Sequence, residues 1–460
     1  MSTFYLKTKM FILVTFIFYS IVMLSGCKPG VSLIIASDPQ FVWRCSTPEC
    51  RSVESSDKNK QSFLSNSWQS TSIAKLSREL KYTTNNIWKN YAYEGLIING
   101  DLTDFGNPGK GVLDSAFTGR NVSNLGHLMS YYSENPRITA NGPVMLGLGN
   151  HDYRNNVNDC GNDYGGNFGV TRPKNACVID MIDYLDRQTR INIGYARSAG
   201  FSMDFKIEKS YTCAFAHWEL RGCSILKWWG CSLVKVCDWQ VKSGETHKGS
   251  LAYSFDIPLD LEGKSRIHVI QLNETPGYST KFSSYQFPVN YTYDITNSIN
   301  WLNADLMNQK LKGGNVGIII NMHDIGEHPD ELTGFKNILG SYANLSNMNF
   351  LAIFAGHFHE ISGYIANYDV IPTNSRIRIP VFFSGSSEYN RYLRVRAKWN
   401  EIVVEFISSV QGSAKNVPQM GYGGNVDTNG PLGYKVEYSG NKSISMTPLQ
   451  RGFSTLPDID

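Results

Sequence analysis

The sequence predicts an α/β protein built around a largely parallel sheet. Short apolar runs recur along the chain, most of them end in glycine, asparagine or a charged residue, and helical patterns lie between them. The first run, residues 31–37 (VSLIIAS), stops at Asp38, with Pro39 and Gln40 behind it. A strand buried on both faces reads as such a continuous run, and open α/β sheets place ligands beyond the carboxyl ends of their strands. Asp38 is therefore a candidate site residue, although an Asp-Pro pair also opens turns. Further runs at 95–99, 143–148, 266–272, 316–322 and 349–355 continue the series. Helical patterns fall at 71–89, 113–133, 296–311 and 331–343, the third with Ile299, Leu302 and Leu306 on one face. From Ile361 the chain turns to successive strands, ISGYIANYDV, RIRIPVFFSGS, RYLRVRAKW and EIVVEFISS, expected to form hairpins closing a second sheet. Residues 411–460, rich in Gly, Asn, Ser and Pro, are expected to form an extended tail on the surface or to be partly disordered.

At 460 residues and 42% hydrophobic content the chain can bury a sizeable core, which excludes disorder throughout. Its formal charge of +3 includes Lys7 and Lys9, so no basic field points to a nucleic-acid partner. Those two lysines precede MFILVTFIFYSIVML, short for a bilayer span of ~20 residues but right for a signal-peptide core. Residues 1–26 are thus expected to be a signal peptide. LSGC, ending at Cys27, resembles the bacterial lipobox, whose cysteine is lipidated and becomes the new amino terminus. The expectation is export to the bacterial cell envelope, with a lipid anchor on Cys27 holding the protein to a membrane. An ordinary signal peptide cut nearby would leave it secreted.

Of nine cysteines, an acylated Cys27 leaves eight, an even number in an export setting that permits disulfides. No pair is separated by two residues, as a zinc knuckle requires. Six of them, Cys160, Cys177, Cys213, Cys223, Cys231 and Cys237, fall in the segment 153–265 with the Trp-rich LKWWGCSLVKVCDW. This segment reads as a disulfide-rich insertion, either inert or a lid over a site.

Five clusters follow the strand patterns in order: SDPQ at 37–40, NGDLTD at 99–104, GNHD at 149–152, NMHD at 321–324 and AGHFHE at 355–360. Each is weak alone, since a lone histidine is most often an ordinary surface or core residue. Together they bring carboxylate, amide and imidazole groups to the ends of strands, a donor mixture that suits Mn, Fe or Zn. In GHFH, His357 and His359 are one residue apart, so on an extended chain both point the same way.

With these clusters the sequence resembles the calcineurin-like metallophosphoesterases, the superfamily that includes purple acid phosphatases and class III cyclic-nucleotide phosphodiesterases. The resemblance spans roughly residues 31–409 and implies a metallophosphoesterase domain over 27–410 with a four-layer α/β/β/α sandwich. It also implies hydrolysis of phosphomonoesters or phosphodiesters by a hydroxide bridging two divalent or trivalent metal ions, Mn, Fe or Zn. Carried over residue by residue, Asp38 and His359 would hold the first metal, Asp101 would bridge both, and Asn150, His323 and His357 would hold the second. His151 would contact the phosphate and protonate the leaving group, with Asp152 orienting its ring. Gln40 stands where most of the family has histidine. It would ligate through its amide oxygen, a harder donor than imidazole, or only hydrogen-bond a metal-bound water. Asp104 and Asp324 read as turn or outer residues, and His328 as a surface histidine or a substitute for His323. A reading from another class is a catalytically silent surface lipoprotein that binds a partner through the cysteine-rich insertion. The presence of His151, not a metal ligand, counts against it.

Overall fold

The computed structural model describes residues 30–40, 57–84, 91–103, 124–156, 175–194, 200–221, 232–286, 289–370, 377–439 and 442–450. The signal segment with Cys27, the tail end 451–460, Asp104, Cys45, Cys50, Cys160, Cys223, Cys231 and the side chain of Cys177 lie outside the described residues.

In chain order the strands are β1 (Val31–Ala36), β2 (Ala92–Asn99), β3 (Val144–Gly147), β4 (Ser202–Met203), β5 (Lys206–Arg221), β6 (Ser232–Gly249), β7 (Tyr253–Pro258), β8 (Ser265–Gln271), β9 (Thr280–Gln286) and β10 (Val289–Ile295). There follow β11 (Asn315–Asn321), β12 (Met348–Ala355), β13 (Ser362–Val370), β14 (Ile377–Ser384), β15 (Arg391–Lys398), β16 (Glu401–Val410), β17 (Ser413–Asn416), β18 (Gly433–Tyr438) and β19 (Ile444–Pro448). The α-helices are α1 (Asp57–Thr84), α2 (Asn124–Leu128), α3 (Pro136–Thr139), α4 (Ala176–Thr189), α5 (Ile299–Lys312) and α6 (Thr333–Tyr342). Helix α5 shows how local sequence sets the bounds. The Asn297 side chain accepts the Ile299 N–H at its start, and Gly313, at φ 65°, ends it just past Lys310 and Lys312.

One sheet has the order β19-β18-β16-β15-β1-β2-β3, with β17 on β16; a second has the order β13-β14-β12-β11-β8-β7-β4. Strands β1, β2 and β3 run parallel in the first, and β8, β11, β12 and β14 run parallel in the second. The continuous apolar runs have a direct cause. In β1, Val31, Leu33 and Ile35 pack toward the second sheet against such residues as Phe255, Val269 and Phe354, while Ile34 and Ala36 face a cluster containing Ile73 and Leu76 of α1 and Ile182 and Leu185 of α4. In β11, Ile319 joins the core between the sheets, and Ile318 and Ile320 face Leu302 and Leu306 of α5 and Phe335 and Leu339 of α6. Each strand is thus buried on both sides, one sheet-facing and one helix-facing.

Three expectations are corrected. The strands after Ile361 do not close one second sheet. β13 and β14 join the second, whereas β15 and β16 form a hairpin on β1 in the first, because the connection between β14 and β15 passes from one sheet to the other. The expected surface tail contributes β17, β18 and β19. Val436 and Tyr438 enter the core between the sheets, and Tyr438 donates to the Leu351 carbonyl at 3.1 Å. The alternation Tyr434, Val436, Tyr438 with Lys435 and Glu437 is a half-buried strand that the Gly- and Asn-rich flanks conceal. Finally, 153–265 is not one separable insertion. α4 packs on the first sheet, and Tyr253, Phe255 and Ile257 of β7 lie in the core between the sheets.

What stands apart is the β5–β6 ribbon. It forms a third sheet in the order β5-β6-β10-β9, and β10 pairs only with the Gly244 to Gly249 end of β6. Beyond that end the ribbon exposes Tyr211, Phe215 and Trp239, and among the described residues one disulfide, Cys213–Cys237, ties its strands. Among the described residues no helix is long and apolar enough to cross a membrane.

Candidate metal centre

The parallel strands of both sheets end on polar residues that converge. Asp38 and Gln40 follow β1, Asp101 follows β2, Asn150, His151 and Asp152 follow β3, His323 follows β11, and His357 and His359 follow β12. Asp38, Gln40, Asp101 and His357 all adopt positive φ (50°, 35°, 45° and 69°). For residues with a side chain this costs of order 1–3 kcal/mol each, and such outliers cluster at functional sites. Backbone hydrogen bonds impose it. The Asp38 N–H donates to the Gly100 carbonyl (3.1 Å), the Gln40 N–H to the Asp101 carbonyl (3.0 Å), and the Gly356 N–H to the His323 carbonyl (3.0 Å). Gly149 packs so closely that a Cβ there would overlap the Asp101 carboxylate.

His323 is fully buried, and its Nδ1 lies 2.9 Å from the Asn99 carbonyl. A carbonyl only accepts, so Nδ1 carries the proton and Nε2 is left for the centre. Nε2 is 2.9 Å from Asn150 Oδ1 and 3.2 Å from Asp101 Oδ2. His357 Nδ1 is 3.2 Å from the same Asn150 oxygen, and His359 Nε2 is 3.5 Å from Asp38 Oδ1. Two groups of candidate metal ligands result, Asp101 with His323 and His357, and Asp38 with Asp101 and His359, each with its ligand atoms within 4.8 Å of one another. Asp101 belongs to both. The donor set fits a metal ion: ligands about 2.1 Å from one ion and at right angles about it lie about 3.0 Å apart. The separations of His323 from Asn150 and Asp101 and of His357 from Asn150 fall close to that value, at 2.9 to 3.2 Å.

The remaining residues read from the sequence are also here. Gln40 directs its amide nitrogen to Asp101 Oδ2 at 3.1 Å. His151 is half-buried, and its backbone N–H donates to Asp101 Oδ1 at 3.0 Å. Asp152 follows His151 in the same turn. Its buried carboxylate accepts from the backbone N–H groups of Leu102, Thr103 and Gly149, each at 3.0 Å, and from the Thr103 hydroxyl at 3.2 Å. It therefore fastens the loop after β2 to the turn after β3. His328 lies on Asp324, Nδ1 to Oδ2 at 2.9 Å, so His323 and not His328 joins the centre.

Three acidic residues were not singled out from the sequence. Glu327 Oε2 is 3.0 Å from His357 Nε2, and Glu388 Oε2 is 3.6 Å from His359 Nδ1, so the outer nitrogen of each histidine faces a carboxylate. Such partners orient metal-binding imidazoles. Glu388 lies as far past β14 as His359 lies past β12, so the pattern that exposed Asp38 extends to it, whereas Glu327 does not follow a strand directly. Glu274 does follow one: the run 266–272 ends on Asn273 and Glu274, and the rule applied to Asp38 would have found it.

The charges are strongly coupled. Burial raises the Asp38 carboxyl above its usual range despite His323 and His359. Burial also works to raise Asp101, but the His323 charge and hydrogen bond, with His151, hold it well below the carboxylate range. Burial works to lower His323, and the carboxylates of Asp101 and Asp38 push it well above the ordinary imidazole value. Asp152 is raised to about 7 by burial and the neighbouring Asp101 charge. Buried carboxylates and imidazoles at this density favour a bound cation.

Fold and site together define an α/β protein with candidate metal-binding groups at the carboxyl ends of its strands. No family model matches the chain, and no curated protein matches it. Among solved structures it is similar to one titled "Structure of PhoD", with a TM-score of 0.42 and 10% identity over 93% of this chain and 74% of that one.

Proposed function

We propose that the chain is a metal-dependent hydrolase of phosphomonoesters or phosphodiesters with a two-metal centre. The observation that carries this reading is the single carboxylate, Asp101, common to two groups of ligand atoms. Asp38, Asp101 and His359 would hold one ion, and Asp101, Asn150, His323 and His357 the other. Mn, Fe or Zn suits this mixture of oxygen and nitrogen donors. When bound, such a pair lowers the pKa of water and neutralises phosphoryl oxygens. His151, fixed by its backbone bond to Asp101, would donate a proton to the leaving oxygen. Gln40 would offer its amide oxygen to the first ion if the amide turned end for end.

The three apolar clusters, one between the sheets and one on each outer face, support a four-layer α/β/β/α arrangement. Export to the cell envelope with a lipid on Cys27 is part of the same reading. The leader sequence supports it, as does the Cys213–Cys237 disulfide, a bond that persists in oxidising compartments.

The test is metal analysis of the purified protein with assays on p-nitrophenyl phosphate and bis(p-nitrophenyl) phosphate, before and after chelation and restoration of Mn2+, Zn2+ or iron. Hydrolysis of either, lost on chelation and restored by metal, is expected. No hydrolysis of either by the metal-loaded protein would reject it. That result would favour the second reading, a silent surface lipoprotein, for which the exposed Tyr211, Phe215 and Trp239 of the β5–β6 ribbon offer a contact surface.

A further inference from the structure

We propose a third cation site, formed by Glu274, Asp324 and His328, beside the centre described above and separate from its ligands. It would take a divalent cation of the Mn2+ or Zn2+ kind and fasten the end of β8 to the segment that carries His323.

The first observation is an orphaned atom. Glu274 is 1% exposed, and its Oε2 is buried with no hydrogen-bond partner. Its Oε1 pairs with Arg154 Nη1 at 3.1 Å. That guanidinium does not balance the charge, because it also pairs with both oxygens of Glu331, at 2.9 and 3.1 Å. A single positive charge is divided between two carboxylates. Leaving a carboxylate oxygen buried and unmatched is costly, and a cation is one of the few partners that removes the cost.

The second observation is what surrounds that carboxylate. One ligand atom from each of Glu274, Asp324 and His328 lies within 4.8 Å of the other two. Asp324, also 1% exposed, is oriented through Oδ1, which accepts the N–H groups of Gly326 (2.7 Å) and Glu327 (3.0 Å). Its Oδ2 lies 2.9 Å from His328 Nδ1, close to the separation of about 3.0 Å for two donors at right angles on one ion. The His328 side chain is 32% exposed, which leaves a path for entry and room for water to complete the coordination. Two carboxylates with an imidazole suit Mn2+ or Zn2+ better than Mg2+, which prefers oxygen and keeps most of its water. The Glu274 carbonyl accepts the N–H groups of His323 and Asp324, both at 3.2 Å, so an ion here would reinforce the same junction through side chains.

The test counts metal in the full-length protein, dialysed against Mn2+ and then desalted, for wild type, His328→Ala, Glu274→Gln and Asp101→Asn. His328→Ala and Glu274→Gln are each expected to hold one equivalent less than wild type, and Asp101→Asn to keep the equivalent they lose. Mn2+ should also raise the Tm of Asp101→Asn but not of the Asp101→Asn, His328→Ala double variant. If Glu274→Gln fails to fold, the partly exposed His328 decides alone. Equal metal content in wild type and His328→Ala, with equal Tm responses of the single and double variants, overturns the site. Failure of the two-metal reading itself would appear separately, as an Asp101→Asn content equal to wild type.

Discussion

Asp38 and His357, 319 residues apart in sequence, are joined through both carboxylate oxygens of Asp38, each 3.2 Å from the backbone N–H of His357. This contact ties the end of β1 in one sheet to the end of β12 in the other. It holds two candidate ligand residues in register by a bond that uses neither imidazole nitrogen. The centre is thus assembled by backbone as much as by side chains, and that assembly shapes what substitutions should do.

Asp101→Asn keeps shape and loses charge. A neutral amide cannot balance two cations, so bound metal should fall by both ions of the centre and activity should fall to background. Affinity should drop by more than the 10–100-fold typical of an outer partner. Metal analysis and turnover on a generic monoester check it.

His151→Ala should leave the metal content unchanged, because its link to Asp101 runs through the backbone N–H, which alanine retains. The rate should fall by about 10²–10⁴, the usual worth of a positioned proton donor. An unchanged rate would remove His151 from the mechanism.

Gln40→His would place a nitrogen donor beside Asp101 where the amide now lies at 3.1 Å. Affinity of the first ion should rise, with preference shifting toward zinc. Titration of both forms with Mn2+ and Zn2+ measures this, and superimposable curves would place residue 40 outside the ligand shell.

His268 on β8 tests the fold away from the centre. It is buried between Asp256 Oδ1 and Asp305 Oδ2, both at 2.7 Å. Burial works to lower its pKa, but Asp305 and Asp256 raise it from 6.5 to about 9. The proton binds the folded state more tightly, so its stabilisation is complete below about pH 6.5 and disappears as pH rises through about 9. Asp256, lowered to about 2, contributes above its ordinary value of 3.8 and loses that contribution only as pH falls through about 2. His268→Gln should cost about 3 kcal/mol at pH 6, because it leaves the buried Asp305 carboxylate without its counter-charge while Asp256 keeps Lys312 at 2.8 Å, and less at pH 9.5. Denaturant melts at the two pH values give the difference.

Cys213→Ser should loosen the β5–β6 ribbon and leave the centre intact. Proteolysis within 206–249 is expected to accelerate, with metal content unchanged. A global loss of structure would mean that the ribbon supports the two-sheet core.

The strands at 31–37, 316–322 and 349–355 were legible because both faces of each are covered, which leaves a continuous apolar run. Asp38, Asp101, Asn150, His323, His357 and His359 were legible because they directly follow such strands. Less of the rest was written locally. β10 is placed by its pairing with β6, and β18 by its place beside β16, relations between distant segments that no local pattern carries. The Asp152 carboxylate is committed to backbone N–H groups, and a backbone donor leaves no trace in residue identity. Glu327 lies in a loop whose approach to His357 depends on the whole fold.

The separation of Asp38 from His357 also bears on biosynthesis. A growing chain offers Asp38, Asp101 and Asn150 first and gains its imidazole donors His323, His357 and His359 only in its last third. On the proposed two-metal reading it would until then present oxygen ligands that discriminate poorly among ions, and the nitrogen donors that favour Mn, Fe or Zn over Mg or Ca would arrive with the completed polypeptide. The choice of metal would then belong to the compartment in which folding finishes, not to the one in which translation begins.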